Sequence, residues 1–263
     1  MSDDISPILD KWPYRGENSV RKIVGLDGRE KVQIRVLLEG YHGVLQFECD
    51  GRPDGKRRHG REFALDYYED LAHSAQAAEG YPVVFRLTHD QVEELFEESS
   101  ITYQRYIVLL QMNDHVRVVR DTARNMRLFR FVHECAELEE DRDRLEKWWP
   151  YILRIHATSR TLLRLEKKDA DGALTVLRET LRKIKDLPTQ EDEVFGVEQE
   201  RSIKVLEEMV ESVSQQCEPT RIELLEQQKV AAIKEEDYER AAELRDQIDQ
   251  LKRQETQNAD QAN

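Results

Sequence analysis

The sequence predicts a mainly α-helical protein with a small N-terminal β-meander, an α+β fold in which helical hairpins make up most of the chain. Apolar residues account for 39% of the 263 residues and charged residues for 36%, which favours helices with wide solvated faces over a thick central sheet. Strand and turn signals concentrate in residues 1–62. From there to about Lys252, apolar residues recur mainly at helical spacing.

These patterns divide the chain into four segments. We expect a β-rich head at 1–62, a helical body at 63–216, a helical hairpin at 217–254 and a disordered tail at 255–263, which has nothing to bury. The formal net charge is −14, and the head holds 12 Lys or Arg against 11 Asp or Glu, so the rest of the chain carries −15. An acidic body of this kind repels phosphate backbones.

The head contains three β-branched runs separated by turn signals. Asp27-Gly28 between two such runs is a strong hairpin signal, because glycine adopts positive φ at little cost. We predict strands near 20–25, 30–38 and 44–49. Three strands cannot shield both faces of a sheet, so one face is expected to pack on a helix.

The body begins with a helical pattern at Phe63. Thr88 and Gln91 have the capping-box spacing that starts a helix. Pro150 lies inside a long helical pattern and predicts a kink or a restart, because proline lacks the backbone donor. A further helix is predicted at about 192–216.

Two stretches of the body resemble each other at an offset of 55 residues, around Asp114 and around Asp169. In both, an apolar helix ends at a polar turn and a second helix follows. The apolar positions of the second helices are Val118, Val119, Thr122 and Met126, and Ala173, Leu174, Leu177 and Leu181. The pairs look like degenerate tetratricopeptide units, although that family repeats every 34 residues; the alternative is that any two amphipathic hairpins look alike at this level.

No pattern of catalytic or cofactor-binding residues stands out. The run "HECAE" at His133–Glu137 starts like a zinc-protease helix, but Glu137 stands where the second histidine would be needed. The glycines match neither a phosphate loop nor a dinucleotide fingerprint, and there is no nucleophile-elbow motif. We therefore predict a protein that is not an enzyme and has no metal or cofactor.

The cysteines and the N-terminus bear on the compartment. Cys49, Cys135 and Cys217 are too far apart for a zinc pattern and odd in number, which is typical of reduced cytosolic thiols. The start "MSDDISPILDKW" has acids where a signal peptide has cations, and no run of eighteen apolar residues occurs. We expect a cytoplasmic protein without a membrane segment.

A basic loop, "GRPDGKRRHGR", is the best local candidate for binding an anion. Its candidate residues are Lys56, Arg57, Arg58 and Arg61. The loop could contact phosphate or an acidic partner, dock on acidic helices of its own chain, or remain solvated. Direct nucleic-acid binding is disfavoured, because the net charge opposes it and no aromatic residue interleaves the cations.

The segment "RIELLEQQKVAAIKEEDYERAAELRDQIDQLKRQ" predicts two antiparallel helices joined at "KEED". Asp237 is expected to cap the second helix. Both helices carry an apolar seam, and small alanines allow the helices to approach closely. The predicted partner-binding residues are Leu225, Ala232, Tyr238, Ala241, Ala242, Leu244, Arg245, Asp246, Ile248 and Leu251.

This hairpin resembles the UVR motif, which occurs at the end of UvrB, within UvrC and in bacterial stress-response proteins. The resemblance rests on "EEDYERAAELRDQIDQL"; upstream, Lys229 replaces a usual aliphatic residue. The head and body also look like a poorly characterised bacterial group of UVR-motif proteins. In the repair proteins, the resemblance implies docking of one UVR hairpin on another.

We expect a non-catalytic adaptor that binds a protein partner, another UVR-motif protein or itself as a homodimer, with a link to nucleotide excision repair. The first alternative is a regulator of a protease or kinase in stress response. The second is a repair accessory that binds nucleic acid through loop 52–61. The hairpin could instead pack on its own helical body.

Overall fold

The computed structural model describes residues 4–16, 19–78, 85–188, 192–217, 221–234 and 237–261. Three strands lie near the N-terminus: β1 (Val20–Val24), β2 (Glu30–Leu38) and β3 (Tyr41–Glu48). The helices are α1 (Ser6–Lys11), α2 (Ala64–Ala78), α3 (His89–Gln111), α4 (His115–Cys135), α5 (Glu139–Asp143), α6 (Trp149–Glu166), α7 (Ala170–Lys185), α8 (Glu193–Cys217), α9 (Arg221–Lys234) and α10 (Tyr238–Gln261). The predicted fold class, mainly α with a small β-meander, is confirmed.

The three strands form an antiparallel sheet in the order β1-β2-β3. β3 begins three residues earlier than the sequence predicted, at Tyr41, which pairs with Leu38. The two intervening residues explain the early start: Glu39 and Gly40 have φ values of 48° and 87°. Positive φ at both central positions is the tight hairpin turn whose twist matches that of the strands, so pairing resumes at once.

One face of the sheet packs on helices, as the sequence predicted. Val32 of β2 is fully buried and lies in a cluster with Tyr106 and Leu109 of α3, Val118 of α4 and Ile155 of α6. Apolar contact between the meander and the body supplies the stabilisation that an isolated three-stranded sheet lacks.

A large apolar core of the body lies between the long helices. Leu95 of α3, Leu128 and Val132 of α4 and Ile152 of α6 belong to one buried cluster, which Leu65 of α2 completes. This arrangement follows from the apolar stripes that the helices carry at helical spacing.

The two helical hairpins of the body share one turn geometry. Asp114 caps α4 by accepting the Arg117 backbone N–H at 3.2 Å, and Asp169 caps α7 by accepting the Gly172 N–H at 2.9 Å. The preceding residue has positive φ in both turns: 56° at Asn113 and 58° at Lys168. The predicted likeness at an offset of 55 residues therefore extends to the backbone, while the relation to tetratricopeptide units stays a prediction.

The predicted helix boundaries are confirmed at three places. The Gln91 side chain accepts the Thr88 backbone N–H at 2.9 Å at the start of α3. Pro150 lies in the first turn of α6, so the helix restarts there after a short 3₁₀ turn at Glu146–Trp148. The helix predicted at about 192–216 is α8.

α10 continues past the hairpin boundary predicted at residue 254 and ends at Gln261, while the disorder of 255–263 stays a prediction. Glutamine, glutamate and alanine are good helix formers, so a helix can extend here without burying apolar surface. The last two residues lie outside the described part of the chain.

The chain forms two compact units, Met1–Val210 and Glu211–Asn263. The first contains the predicted head and nearly all of the predicted body, and the second contains α9 and α10. Within the ranges that the structure describes, no helix combines the length and the apolar character needed to cross a membrane.

Candidate functional site

The C-terminal unit contains an antiparallel pair of helices, α9 and α10. The Asp237 backbone N–H donates to the Ala232 carbonyl at 2.9 Å. The Asp237 carboxylate accepts the Arg240 N–H at 3.0 Å and so caps α10, as the sequence predicted. This cap satisfies a backbone donor at the start of the helix, and its charge suits the positive end of the helix dipole.

The predicted apolar seam is the interior of this unit. Ala232, Ala241 and Leu244 form a buried cluster against which Leu225 packs, and Ile248 is also buried. These side chains follow helical spacing, and the small alanines let the two backbones approach. They are therefore the residues that hold the hairpin together.

The four exposed residues among the predicted partner-binding set lie outside this seam. Tyr238, Ala242 and Arg245 are exposed and repeat at i, i+4 and i+7 on α10, which places them on one outward stripe. Arg245 donates to Asp246 at 2.8 Å, and both side chains face solvent. Leu251 is half-buried.

Two exposed apolar residues of α9 did not stand out in the sequence. Val230 and Ile233 are 49% and 46% exposed, and Tyr238 beyond the turn is 68% exposed. Both are apolar residues of α9 that do not follow the helical spacing of Leu225 and Ala232, and this feature of the sequence could have identified them. Lys229, where the family usually has an aliphatic residue, is half-buried, and its methylene stem can cover apolar surface.

The basic loop turns out to be largely bound to its own chain. Arg58 donates to Glu94 at 3.2 Å and to Glu97 at 2.7 Å, and Arg61 lies 2.6 Å from Asp70. These pairs match the sequence alternative in which the loop docks on acidic helices of its own chain.

Glu94 is the centre of this contact. It accepts hydrogen bonds from His59 at 2.9 Å and from the Tyr68 hydroxyl at 2.7 Å, besides that from Arg58. Burial alone would raise the pKa of Glu94, but the hydrogen bonds from His59, Tyr68 and Arg58 outweigh it and hold the pKa below its usual value. His59 also stacks on Tyr67, with ring centroids 4.3 Å apart.

The remaining two cations of the predicted anion site are Lys56 and Arg57. Both are exposed, and neither side chain has an ion pair within the described part of the chain. A pair of exposed cations supplies little affinity for a phosphate backbone, which normally requires many contacts.

The helical body contains a pocket of about 620 Å³ that is partly open to solvent. Its aromatic lining consists of Phe96, Tyr103, Tyr106, Phe129, Trp148 and Tyr151, and its polar lining of Ser99, Ser100, Asn125, Glu198 and Arg201. The one carboxylate in this lining, Glu198, is paired with Arg154 at 3.2 Å. The lining contains no histidine, cysteine or lysine.

His133, the first residue of the run that starts like a zinc-protease helix, lies 3.5 Å from Glu146. Within the described ranges, no group of three or more His, Cys, Asp or Glu side chains is placed to hold a metal ion.

Comparison with known proteins identifies a family motif in the C-terminal unit. The family model of the UvrB/uvrC motif, abbreviated UVR, matches residues 220–254, which are α9, α10 up to Gln254 and their connection. No curated protein and no solved structure matches the chain significantly. The predicted resemblance is confirmed over this segment, and the chain is a UVR-motif-containing protein.

Proposed function

We propose that this chain is a non-catalytic adaptor that binds a partner protein through the outward surface of its UVR hairpin. The UVR motif supports a role in protein interaction, and the exposed apolar residues of the hairpin supply a surface for it. In the UVR proteins of nucleotide excision repair, the resemblance implies that one hairpin docks on another. The proposed partner is therefore another UVR-motif protein.

The observation that carries this proposal is the exposure of Val230, Ile233 and Tyr238. Three large apolar side chains lie in water on a hairpin that already buries its own seam. Ile233 and Tyr238 flank the connection between the two helices, where the Asp237 N–H bonds Ala232. Exposed apolar groups placed close together are typical of a protein-binding surface, since their burial gains free energy on association.

The polar surroundings of these residues fit a docking surface. Arg245 and Asp246 lie further along the outward side of α10. A rim of charges contributes to partner choice and orientation more than to affinity. A hairpin of this size buries little apolar area alone, so a partner adds to its stability.

The test compares the purified chain with a variant that carries Ile233→Ser and Tyr238→Ser. Binding to purified UvrB and UvrC is measured by titration calorimetry, and lysate capture with mass spectrometry extends the search to other partners. The matched control carries Val116→Ser and Leu138→Ser, two exposed apolar residues of the body. The two hairpin substitutions together are expected to weaken binding about tenfold or more, as loss of a central contact residue does.

The identity of the partner separates the related hypotheses. Binding to UvrB or UvrC supports the link to excision repair, whereas specific capture of a protease or kinase supports a regulator in stress response. If the hairpin variant and the control bind every partner equally well, the outward surface of the hairpin is not the docking site.

A further inference from the structure

The outer edge of β3 has no strand beside it among the described residues. β3 pairs with β2 on one side, and the sheet ends there. Open edges of this kind attract further strands, and natural proteins usually protect them with charges, prolines, bulges or short strands. β3 is eight residues long and pairs with β2 without a bulge.

The register identifies which backbone groups of β3 point outward. Tyr41 and Leu38 close a two-residue turn, so they form a hydrogen-bonded pair, and every second residue of β3 after Tyr41 also faces β2. His42, Val44 and Gln46 therefore direct their N–H and C=O groups away from the sheet. Glu48 confirms this alternation, because its N–H points outward and donates to the Pro53 carbonyl at 2.9 Å.

The two edges of the sheet differ in charge. β1, the opposite edge, contains Arg21 and Lys22 within five residues. Residues 41–47 of β3 contain no lysine, arginine, acidic residue or proline. β1 thus has the charges that deter strand addition, and β3 lacks them.

Apolar side chains lie exposed beside this open edge. Tyr41 and Leu45 of β3 are 78% and 53% exposed, and Leu38, which pairs with Tyr41, is 65% exposed. All three lie on one face of the sheet, because residues that oppose each other in an antiparallel pair share a face. The apolar patch and the outward backbone groups are therefore neighbours.

An antiparallel copy of β3 fits this edge when Val44 lies opposite Val44 of the second copy. His42 then opposes Gln46, so all outward N–H and C=O groups of the three residues find partners. On the apolar face, Leu45 lies over Gly43, which has no side chain to obstruct it, and no like charges meet. We infer that two copies of this chain associate through β3, which joins their meanders into one six-stranded antiparallel sheet.

The charge distribution favours a second copy at this edge. Residues 1–62 hold 12 cations and 11 anions, whereas the remainder carries −15. Two acidic bodies repel each other, whereas two nearly neutral heads do not. The head is therefore the part of the chain where charge repulsion opposes self-association least.

The test measures the solution mass of the full chain by sedimentation over a concentration series. Val44→Pro removes an outward N–H and leaves the bonds to β2 intact, since proline is tolerated on the solvent side of an edge strand. The matched control is Val24→Pro, on the opposite edge. The Gly25 N–H donates to the Arg29 carbonyl across the β1–β2 turn, so by alternation the Val24 N–H also points outward.

The wild-type chain is expected to reach twice its mass of 31.0 kDa, as is Val24→Pro, whereas Val44→Pro stays at the single-chain mass. Circular dichroism checks that each variant folds. If Val44→Pro does not fold, the test uses Leu45→Lys in its place, with Leu26→Lys as the control. The inference is overturned if the wild type stays monomeric at every concentration or if both edge variants behave alike. It is also overturned if only Tyr238→Ser and Ile233→Ser abolish the dimer, because the hairpins would then join the copies.

Discussion

The guanidinium of Arg105 in α3 and the carboxylate of Asp121 in α4 form a buried two-point ion pair, with Nε–Oδ2 and Nη2–Oδ1 distances of 2.7 and 2.8 Å. Both side chains are almost completely removed from solvent. Arg105 also donates to the carbonyls of Glu48 and Gly51 at 3.1 and 2.6 Å. One guanidinium thus connects the first helical hairpin to the end of the meander.

Asp121→Ala is expected to destabilise the 1–210 unit by about 3–5 kcal/mol, because it leaves the Arg105 charge buried without its carboxylate. The control is Asp50→Ala. Asp50 accepts hydrogen bonds from Arg117 that lower its pKa to about 2, but its side chain is 62% exposed, so the expected cost is under about 1 kcal/mol. Urea unfolding followed by tryptophan fluorescence checks both values, and equal costs would contradict the prediction.

His156 of α6 is expected to make stability depend on pH. Burial, with a smaller contribution from Arg160 and Lys183, lowers its pKa from 6.5 to about 4. Between these values the unfolded chain binds a proton at His156 and the folded chain does not. Stability therefore falls as the pH drops from about 6.5 to 4, by up to about 1.4 kcal/mol per pH unit.

The check compares urea unfolding between pH 7 and pH 4.5 for the wild type and for His156→Gln, which is expected to show a smaller dependence on pH. His133→Gln is the control, because His133 lies on the surface. An unchanged pH dependence in His156→Gln would contradict this account.

Glu94 is expected to hold the basic loop in place. Glu94→Gln removes the charge that Arg58 and His59 contact, so the loop should open more often. Trypsin should then cleave after Arg57 and Arg58 about ten- to 100-fold faster, which is the effect of losing one charge-assisted hydrogen bond. Glu97→Gln, at a more exposed partner of Arg58, should have a smaller effect. Equal cleavage rates in both variants and the wild type would show that the loop is held otherwise.

Protonation of Glu94 at low pH is expected to weaken the contact between the basic loop and α3. Because the pKa of Glu94 is lowered by folding, its contribution to stability is present above its unfolded value of 4.5. The contribution is lost as the pH falls through the lowered pKa. Hydrogen exchange of residues 57–61 should therefore lose protection below about pH 4.5, after the intrinsic effect of pH on exchange is removed. In Glu94→Gln, this additional loss of protection should be absent.

Local signals in the sequence identify the elements of this fold better than its long-range contacts. The Asp27-Gly28 turn, the Thr88–Gln91 cap and Pro150 act within a few residues, and each lies where it was predicted. The contact between Arg58 and Glu94 spans 36 residues, and charge patterning cannot choose among the many carboxylates of an acidic body. Only the three-dimensional arrangement shows which cations are already paired.

The same limit applies to the hairpin. Helical spacing predicted an apolar seam, but one sequence does not reveal which of two adjacent alanines faces inward. Ala241 is buried and Ala242 is exposed. The prediction that both contact a partner therefore combined an interior residue with an exterior one.

These two alanines permit a matched test of the hairpin. Ala241→Leu is expected to destabilise the α9–α10 pair by about 1–3 kcal/mol, because the added carbons must fit between closely packed helices. Ala242→Leu adds the same atoms on the outward stripe and should leave the hairpin within about 0.5 kcal/mol of the wild type. Hydrogen exchange of the α10 amides measures both effects, with exchange about five- to 150-fold faster expected in the first variant. Ala232, Ala241 and Leu244 form the buried seam between α9 and α10. Equal protection of the α10 amides in the two variants would mean that Ala241 does not lie in this seam.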